Sequence, residues 1–377
     1  MSTMTATDAN ADRAIPAPRP TEDATPFDTA VAEQFAGRMV GILNDASVAL
    51  MTSIGHQVGL FDVMAKLAPA TSQEIATAAG LQERYVREWL AAMTTARVVT
   101  HDPLRQTYAL PAEHATSLTR AAGPDNLASS MQLIPLLASV EQPVVNCFKH
   151  GGGVPYSAYP RFHQLMAEDS ATVHDAALVD GIVPLVPGLT ERLQAGIDVA
   201  DIGCGQGHAL TLLAATFPRS RFTGYDFAAE AIEAGRHEAR EAGLRNVTFE
   251  LRDVTDLGVT NAYDLVTAFD AIHDQAHPAE VLAGIALALR PDGVFLMVDI
   301  KASSNLHENL DLPTAPFLYT VSTLHCMTVS LAQHGVGLGT AWGEQVACSM
   351  LQDAGFSTIE IKTLEDDLFN SYYVASL

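Results

Sequence analysis

Positive charge is scarce in this chain: 21 Lys and Arg stand against 44 Asp and Glu, a formal net charge of −23. So acidic a surface repels phosphate backbones and anionic lipid, which makes nucleic acid and membrane poor partners. No Lys/Arg cluster breaks the pattern. Cysteine is sparse too. Cys147, Cys204, Cys326 and Cys348 lie far apart with no CxxC pair, which excludes a disulfide framework and a closed structural zinc site and suits a reducing compartment. No apolar run approaches the roughly 18 residues of a membrane helix. The basic start and apolar stretch of a signal peptide are also missing, so a cytoplasmic protein is expected.

What is present is apolar mass, 48% of 377 residues, enough for two cores. Residues 1–28 are rich in Ala, Thr, Pro and Asp and read as a disordered tail. From Val31 to about Leu67 the apolar period is helical. Val40, Ile42, Leu43, Val48, Leu50 and Met51 are dense enough to predict a helix buried on more than one side. Residues 70–81 predict a short helix capped by Thr71 or Ser72 and stopped by Gly80, and Gln82 to Thr95 a second one. Residues 97–110 predict two short strands around a turn at Asp102-Pro103. Helix, tight turn, helix, hairpin is the winged-helix order, which assigns residues 29–124 to an α-helical winged-helix and dimerisation domain.

Residues 125–185 read as connecting helices interrupted by Gly151, Gly152 and Gly153. Tyr156, Tyr159, Phe162 and His163 follow. Glycine hinges beside aromatics suit a lid that excludes water, and an ordinary surface loop fits the same residues. From 186 to 377 strands and helices alternate as in an α/β, doubly wound, Rossmann-like sheet. Seven strands are expected, at 198–202, 221–226, 247–252, 264–269, 294–300, 357–362 and 371–376. An insertion at 301–342 separates the fifth from the next helix.

The strongest motif is Asp201-Ile-Gly-Cys-Gly-Gln-Gly207, at the first strand-to-helix turn. Glycines at 203, 205 and 207 let the backbone approach a ligand closely. The second strand ends in Asp226, placed to accept hydrogen bonds from ribose hydroxyls. Leu251-Arg-Asp-Val254, Tyr263-Asp-Leu-Val-Thr-Ala-Phe-Asp270 and Leu289-Arg-Pro-Asp-Gly-Val294 follow in order. An NAD-binding fold shares the glycine turn, but GxGxG in place of GxGxxG, with the Arg-Pro-Asp-Gly turn, weighs against it.

Over residues 186–377 the chain resembles the class I S-adenosylmethionine-dependent methyltransferases. With the winged helix ahead of the sheet, it is similar to small-molecule methyltransferases of bacteria and plants, closest to an actinobacterial-type branch. The resemblance implies that S-adenosylmethionine is the cofactor. Asp201, Gly203, Gly205 and Gly207 would pass its methionine part, and Asp226 and Phe227 would border its ribose. Asp253 and the Val254 amide would meet the adenine, and Phe269 and Asp270 the methionine amine and reacting methyl. A small-molecule methyl acceptor and a homodimer built through the N-terminal half follow as expectations.

Ala271-Ile-His-Asp-Gln-Ala-His-Pro278 comes directly after the fourth strand, where parallel strands line the ligand crevice. Histidine titrates near neutrality, so His273 is a candidate base for taking a hydroxyl proton. Plant-type O-methyltransferases carry a His-Asp pair at this place with the His as base; here Gln275 replaces the Trp that often follows. In the insertion, His325 is a second catalytic candidate. His325 and Cys326 are open as proton acceptor, metal ligand or core packing. His273 and His277 are the only histidines four apart, and Pro278 disfavours one helix through both, so no required metal is expected. Two other classes stay open. One is a winged-helix DNA-binding regulator that reads through Gln82–Trp89, and the other a cofactor-binding protein without catalysis.

Overall fold

A computed structural model describes residues 26–365 and 367–377, apart from the side chains of His163 and Asp169. The tail expected over residues 1–28 lies, up to residue 25, outside the described residues. Contacts divide the chain into two compact units between Ser47 and Val48.

The described part of the first unit is mostly the leading portion of one helix, Thr29–Gln57. Val31, Phe35, Met39 and Leu43 recur every fourth residue along it and are all exposed. This corrects the expectation of a helix buried on more than one side. Val40, Ile42, Leu43 and Leu50 are exposed, and Val48 and Met51 are only half-buried. Periodicity reports apolar density, but it does not distinguish a core from an exposed apolar surface.

In the second unit Gly59, at φ 73°, ends that helical stretch before Leu60–Met64. Helix Ser72–Ala79 begins with a capping box in which the Thr71 hydroxyl accepts from the Glu74 N–H and the Glu74 carboxylate accepts from the Thr71 N–H. Helix Glu83–Thr95 turns Val86, Trp89, Leu90 and Met93 inward, the three-and-four spacing of one helical face. Trp89 packs edge-on against Phe61 and donates from Nε1 to the Met51 carbonyl at 2.8 Å. A Cβ on Gly55 would lie 2.5 Å from the Trp89 ring, so only glycine fits there. Strands β1 (Thr100–Asp102) and β2 (Thr107–Ala109) form the antiparallel wing, with Ala70 bridging to Tyr108.

The main sheet holds β3 (Asp198–Ile202), β4 (Arg221–Asp226), β5 (Val247–Leu251), β6 (Tyr263–Phe269), β7 (Leu289–Ile300), β8 (Thr358–Lys362) and β9 (Asn370–Ser376). Its order is β5-β4-β3-β6-β7-β9-β8, parallel except for β9, which runs antiparallel to both neighbours. The seven expected strands are all there. β7 starts five residues early, because Leu289 pairs with Tyr263 across an irregularity before the regular register begins at Leu265 and Val294. One apolar cluster, with Ile202, Val266, Phe295 and Tyr373, packs one face of the sheet. A second, with Val199, Leu210, Phe222 and Tyr372, packs the other.

The two ends of the sheet differ in charge chemistry. Near the amino ends Arg290 pairs with Asp198 at 2.8 Å and also with Asp264, tying β3, β6 and β7 together. The chain leaves β3 toward β4 on one side, while β6 lies on the other. That reversal opens a crevice at the carboxyl ends. The insertion runs through helix Ala315–Val321, a wide π turn at Ser322–Cys326 and helix Met327–Ala332. A smaller cluster, Leu136, Val144, Val154, Tyr159, Leu165 and Val329, joins the connecting segment to the insertion.

Candidate functional site

The glycine turn leaves β3 with Gly203, Gly205 and Gly207 all at positive φ, 70°, 53° and 74°. Their reasons differ. A Cβ on Gly207 would fall 2.0 Å from the Phe249 ring, and one on Gly203 would fall 2.6 Å from the Ala271 Cβ. A Cβ added to Gly205 would meet nothing within 4 Å among the described residues, so that side of the residue faces open space. The Gly205 N–H donates to Asp226 Oδ2 at 2.9 Å, and Asp226 Oδ1 accepts from the Ala228 N–H at 2.8 Å. Each oxygen thus spends one lone pair on the loop and keeps another for a ligand.

The other sequence-singled residues stand along the same edge. Asp201, fully buried, accepts from the Thr267 hydroxyl at 2.7 Å, and burial pushes its carboxyl up to about 7. Asp253 is exposed and caps a short turn by accepting from the Thr255 N–H, while Val254 beside it is buried. Phe227 is exposed, and Phe269 meets His174 edge-on. Asp270 sits in the left-handed region at φ 50°, an uncommon conformation for a non-glycine residue that often marks a functional turn. These placements separate two roles for glycine. Gly207→Ala lowers the melting temperature by several degrees, as a backbone or ring must move. Gly205→Val, whose cost is mainly the positive φ of about 1–2 kcal/mol, leaves a folded protein that no longer binds the ligand of this crevice. Thermal melts and a ligand titration on both variants check this; equal melting losses would contradict it.

Next to the turn, His273 and Asp299 are both buried, and His273 Nδ1 hydrogen-bonds Asp299 Oδ1 at 2.8 Å. Asp299 Oδ1 also accepts from Trp342 Nε1 at 3.0 Å and from the Ile300 N–H at 2.8 Å. On its other side, His273 Nε2 lies 3.3 Å from Asp274 Oδ1. Burial opposes a charge on His273, but the Asp299 and Asp274 carboxylates outweigh it and raise the imidazole well above its ordinary value. Tyr156 donates to Asp274 Oδ2 at 3.0 Å and meets Phe227 at 5.6 Å between ring centroids, which links the glycine-turn side to the histidine side. His325 is buried on the wide π turn, stacked on Phe162 at 4.0 Å and edge-on to Tyr159. Its Nδ1 is 3.7 Å from Asp274 Oδ2, so it reaches the site through Asp274.

The Gly151–Gly153 segment is anchored to the insertion. The Val154 N–H donates to the Thr328 hydroxyl at 2.9 Å, and a Cβ on Gly153 would strike the Thr328 carbonyl. Tyr156, Tyr159 and Phe162 converge on His325; the side chain of His163 lies outside the described residues. Sequence reasoning missed Asp299. Its one signal was an acid at the carboxyl end of the apolar run Val294–Ile300.

His208, first residue of helix His208–Thr216, bridges Asp175 at 2.8 Å and Glu238 at 2.9 Å. Burial disfavours its charge, yet the hydrogen bonds to both carboxylates outweigh burial and hold its pKa above the ordinary value. A raised folded-state pKa stabilises fully below the unfolded value and is lost as pH rises through the folded one. Melting temperature is therefore expected to fall by about 1–3 °C from pH 6.5 to pH 8.5, given a partly exposed pair. His208→Gln removes that component; the same pH slope in both proteins would contradict the bridge.

Residues 46–120 match the Rv2258c-like winged HTH domain family, and residues 193–333 match a methyltransferase domain family. The malonyl-[acyl-carrier protein] O-methyltransferase of Bacillus cereus is 26% identical over 39% of this chain and 49% of its own length. The nocamycin O-methyltransferase of Saccharothrix syringae is 32% identical over 33% of this chain and 45% of its own. The chain thus spans about half the length of the curated relatives it matches. Among solved structures, the mitomycin 7-O-methyltransferase MmcR superposes with a TM-score of 0.69 at 18% identity, covering 93% of this chain and 100% of MmcR. Human N-acetylserotonin methyltransferase, solved with SAM, gives 0.67 at 14% identity over 94% of this chain and 99% of that one. Two segments of the chain thus match known domain families, an Rv2258c-like winged HTH domain followed by a methyltransferase domain, and its fold is that of the solved methyltransferases.

Proposed function

We propose that the protein transfers a methyl group from S-adenosylmethionine to a hydroxyl of a small molecule, with His273 as the base. The observation that carries this is the buried His273–Asp299 hydrogen bond at the carboxyl ends of the sheet, beside the glycine turn. The crevice fits the cofactor: Gly205 is open on one side, Asp226 has acceptor capacity left for ribose, and Asp201, Asp226 and Asp270 suit a cationic ligand. When bound, S-adenosylmethionine supplies a methyl already activated on a sulfonium. The chain's own residues then align and deprotonate the acceptor.

Asp299 fixes the imidazole by holding Nδ1–H, which leaves the Nε2 lone pair for the acceptor proton. A neutral Nε2 and the Asp274 carboxylate repel one another, so an incoming O–H is the favourable group to place between them. The acceptor proton would pass to His273 Nε2 as the acceptor oxygen takes the methyl, with S-adenosylhomocysteine as the leaving group. His273 gives up its own proton more readily with a second positive charge bound nearby, and activity rises with pH accordingly. Several relatives are named for acids, trans-aconitate and fatty acid among them. The Asp274 and Asp299 carboxylates that flank His273 repel a carboxylate acceptor here. Methyl-labelled cofactor offered with phenols, alcohols, amines and carboxylic acids tests the reading: label on hydroxyl compounds supports it, and label on carboxylates alone contradicts it.

On the same reading, residues 29–124 serve dimerisation, 125–185 cover the active site and 186–377 carry the chemistry, in the cytoplasm. The exposed stripe on helix Thr29–Gln57 suits a second copy of the chain. Light scattering at micromolar concentration is expected to give twice the chain mass; a monomer would contradict it. The winged helix is read as serving assembly rather than DNA. Arg84 pairs with Glu88 and Arg87 with Glu83 within helix Glu83–Thr95, which leaves no positive footprint there.

A further inference from the structure

We propose that His273, Asp274 and Cys326 form a binding site for a thiophilic divalent cation, zinc being the ion that fits. The three offer one imidazole nitrogen, one carboxylate oxygen and one thiol sulfur, all within 4.8 Å of one another. They come from distant parts of the chain. His273 and Asp274 follow β6, and Cys326 ends the wide π turn of the insertion. The wide turn buries His325 and Cys326 together and aims the thiol at the strand end.

The surroundings match a metal site in three respects. First, the 3.3 Å between His273 Nε2 and Asp274 Oδ1 is about the edge of a tetrahedron with bonds of about 2.0–2.1 Å. Second, the outer atoms are already engaged: Nδ1 is held by Asp299, itself held by Trp342, and Asp274 Oδ2 accepts from Tyr156. A ligating histidine anchored through its far nitrogen to a carboxylate is the recurring outer-sphere arrangement. Third, Asp274 Oδ1 makes no hydrogen bond among the described residues, and the Cys326 sulfur accepts from the Thr340 hydroxyl at 2.9 Å; burial pushes the free thiol up to about 11, so it gives up its proton only as an ion binds. Asp274, Asp299 and a Cys326 thiolate would gather three negative charges with no Lys or Arg among their ion pairs. Sulfur with imidazole selects zinc over magnesium or calcium, whose ligands are oxygens. The ion and the acceptor proton compete for Nε2, so zinc binding shuts methyl transfer off. That consequence, unlike the site itself, rests on the base role proposed for His273.

Cobalt(II) titration of the full chain reads the site without reference to activity. One equivalent is expected to produce a near-ultraviolet thiolate-to-cobalt band that zinc abolishes. Cys326→Ser is expected to lose the band and Asp274→Asn to bind zinc at least about tenfold more weakly. Retained S-adenosylhomocysteine binding in each variant shows that it is folded. A band that survives in Cys326→Ser, or the absence of zinc binding at micromolar ion in the wild type, would overturn the proposal. In the activity arm, zinc should inhibit the wild type and spare Cys326→Ser. Zinc that displaces the cobalt band yet leaves methyl transfer undiminished would support the site and reject His273 as the base.

Discussion

His273→Ala is expected to lower kcat by about 10²–10⁴-fold, the usual worth of a positioned base. The Kd for S-adenosylhomocysteine should change little. The split follows from geometry, because His273 bonds Asp299 and Asp274 and none of the groups around Gly205 and Asp226. Asp299→Asn should act through the same histidine. It keeps the side chain's size, yet an amide can turn its NH₂ toward Nδ1 and favour the wrong tautomer. The expected loss in kcat is at least about tenfold, again without loss of cofactor affinity. Single-turnover rates with saturating cofactor separate the steps. A His273→Ala variant with wild-type turnover would leave alignment alone as the catalytic device, and the histidine would be a structural residue.

Asp226→Ala is expected to weaken cofactor binding by about 100-fold or more, since hydrogen bonds to a charged acceptor are worth about 1.5–3 kcal/mol each. Two effects combine. The ribose loses its carboxylate, and the Gly205 and Ala228 N–H groups lose the acceptor that shapes the turn. Asp226→Asn keeps one acceptor oxygen and should fall between the two. Calorimetry distinguishes this from unfolding, because the apolar clusters on both faces of the sheet do not depend on Asp226. Wild-type affinity in Asp226→Ala would move the ribose elsewhere.

Much of this architecture was legible in the sequence because it follows from local chemistry. The alternation that marked β3 to β9, the capping box at Thr71 and Glu74, and the Asp201–Gly207 turn are short-range signals. What was hidden depends on distant pieces meeting. Asp299 reads as one acid in a strand until Trp342, 43 positions on, donates to it. Tyr156 looks like a loop aromatic until its hydroxyl is found on Asp274, and Cys326 like a core thiol until the π turn brings it to His273. The apolar density of helix Thr29–Gln57 misled for another reason: the pattern of a buried helix and that of an exposed apolar stripe are the same in one dimension.

The proposed methyl transfer depends on the crevice at Gly205 and Asp226 binding the methyl-donor cofactor. Calorimetric titration of the purified protein with S-adenosylhomocysteine, with NAD as the control ligand, tests it most directly. Micromolar, one-to-one binding of S-adenosylhomocysteine and no binding of NAD are expected. A folded protein that binds neither, or binds NAD instead, would contradict it.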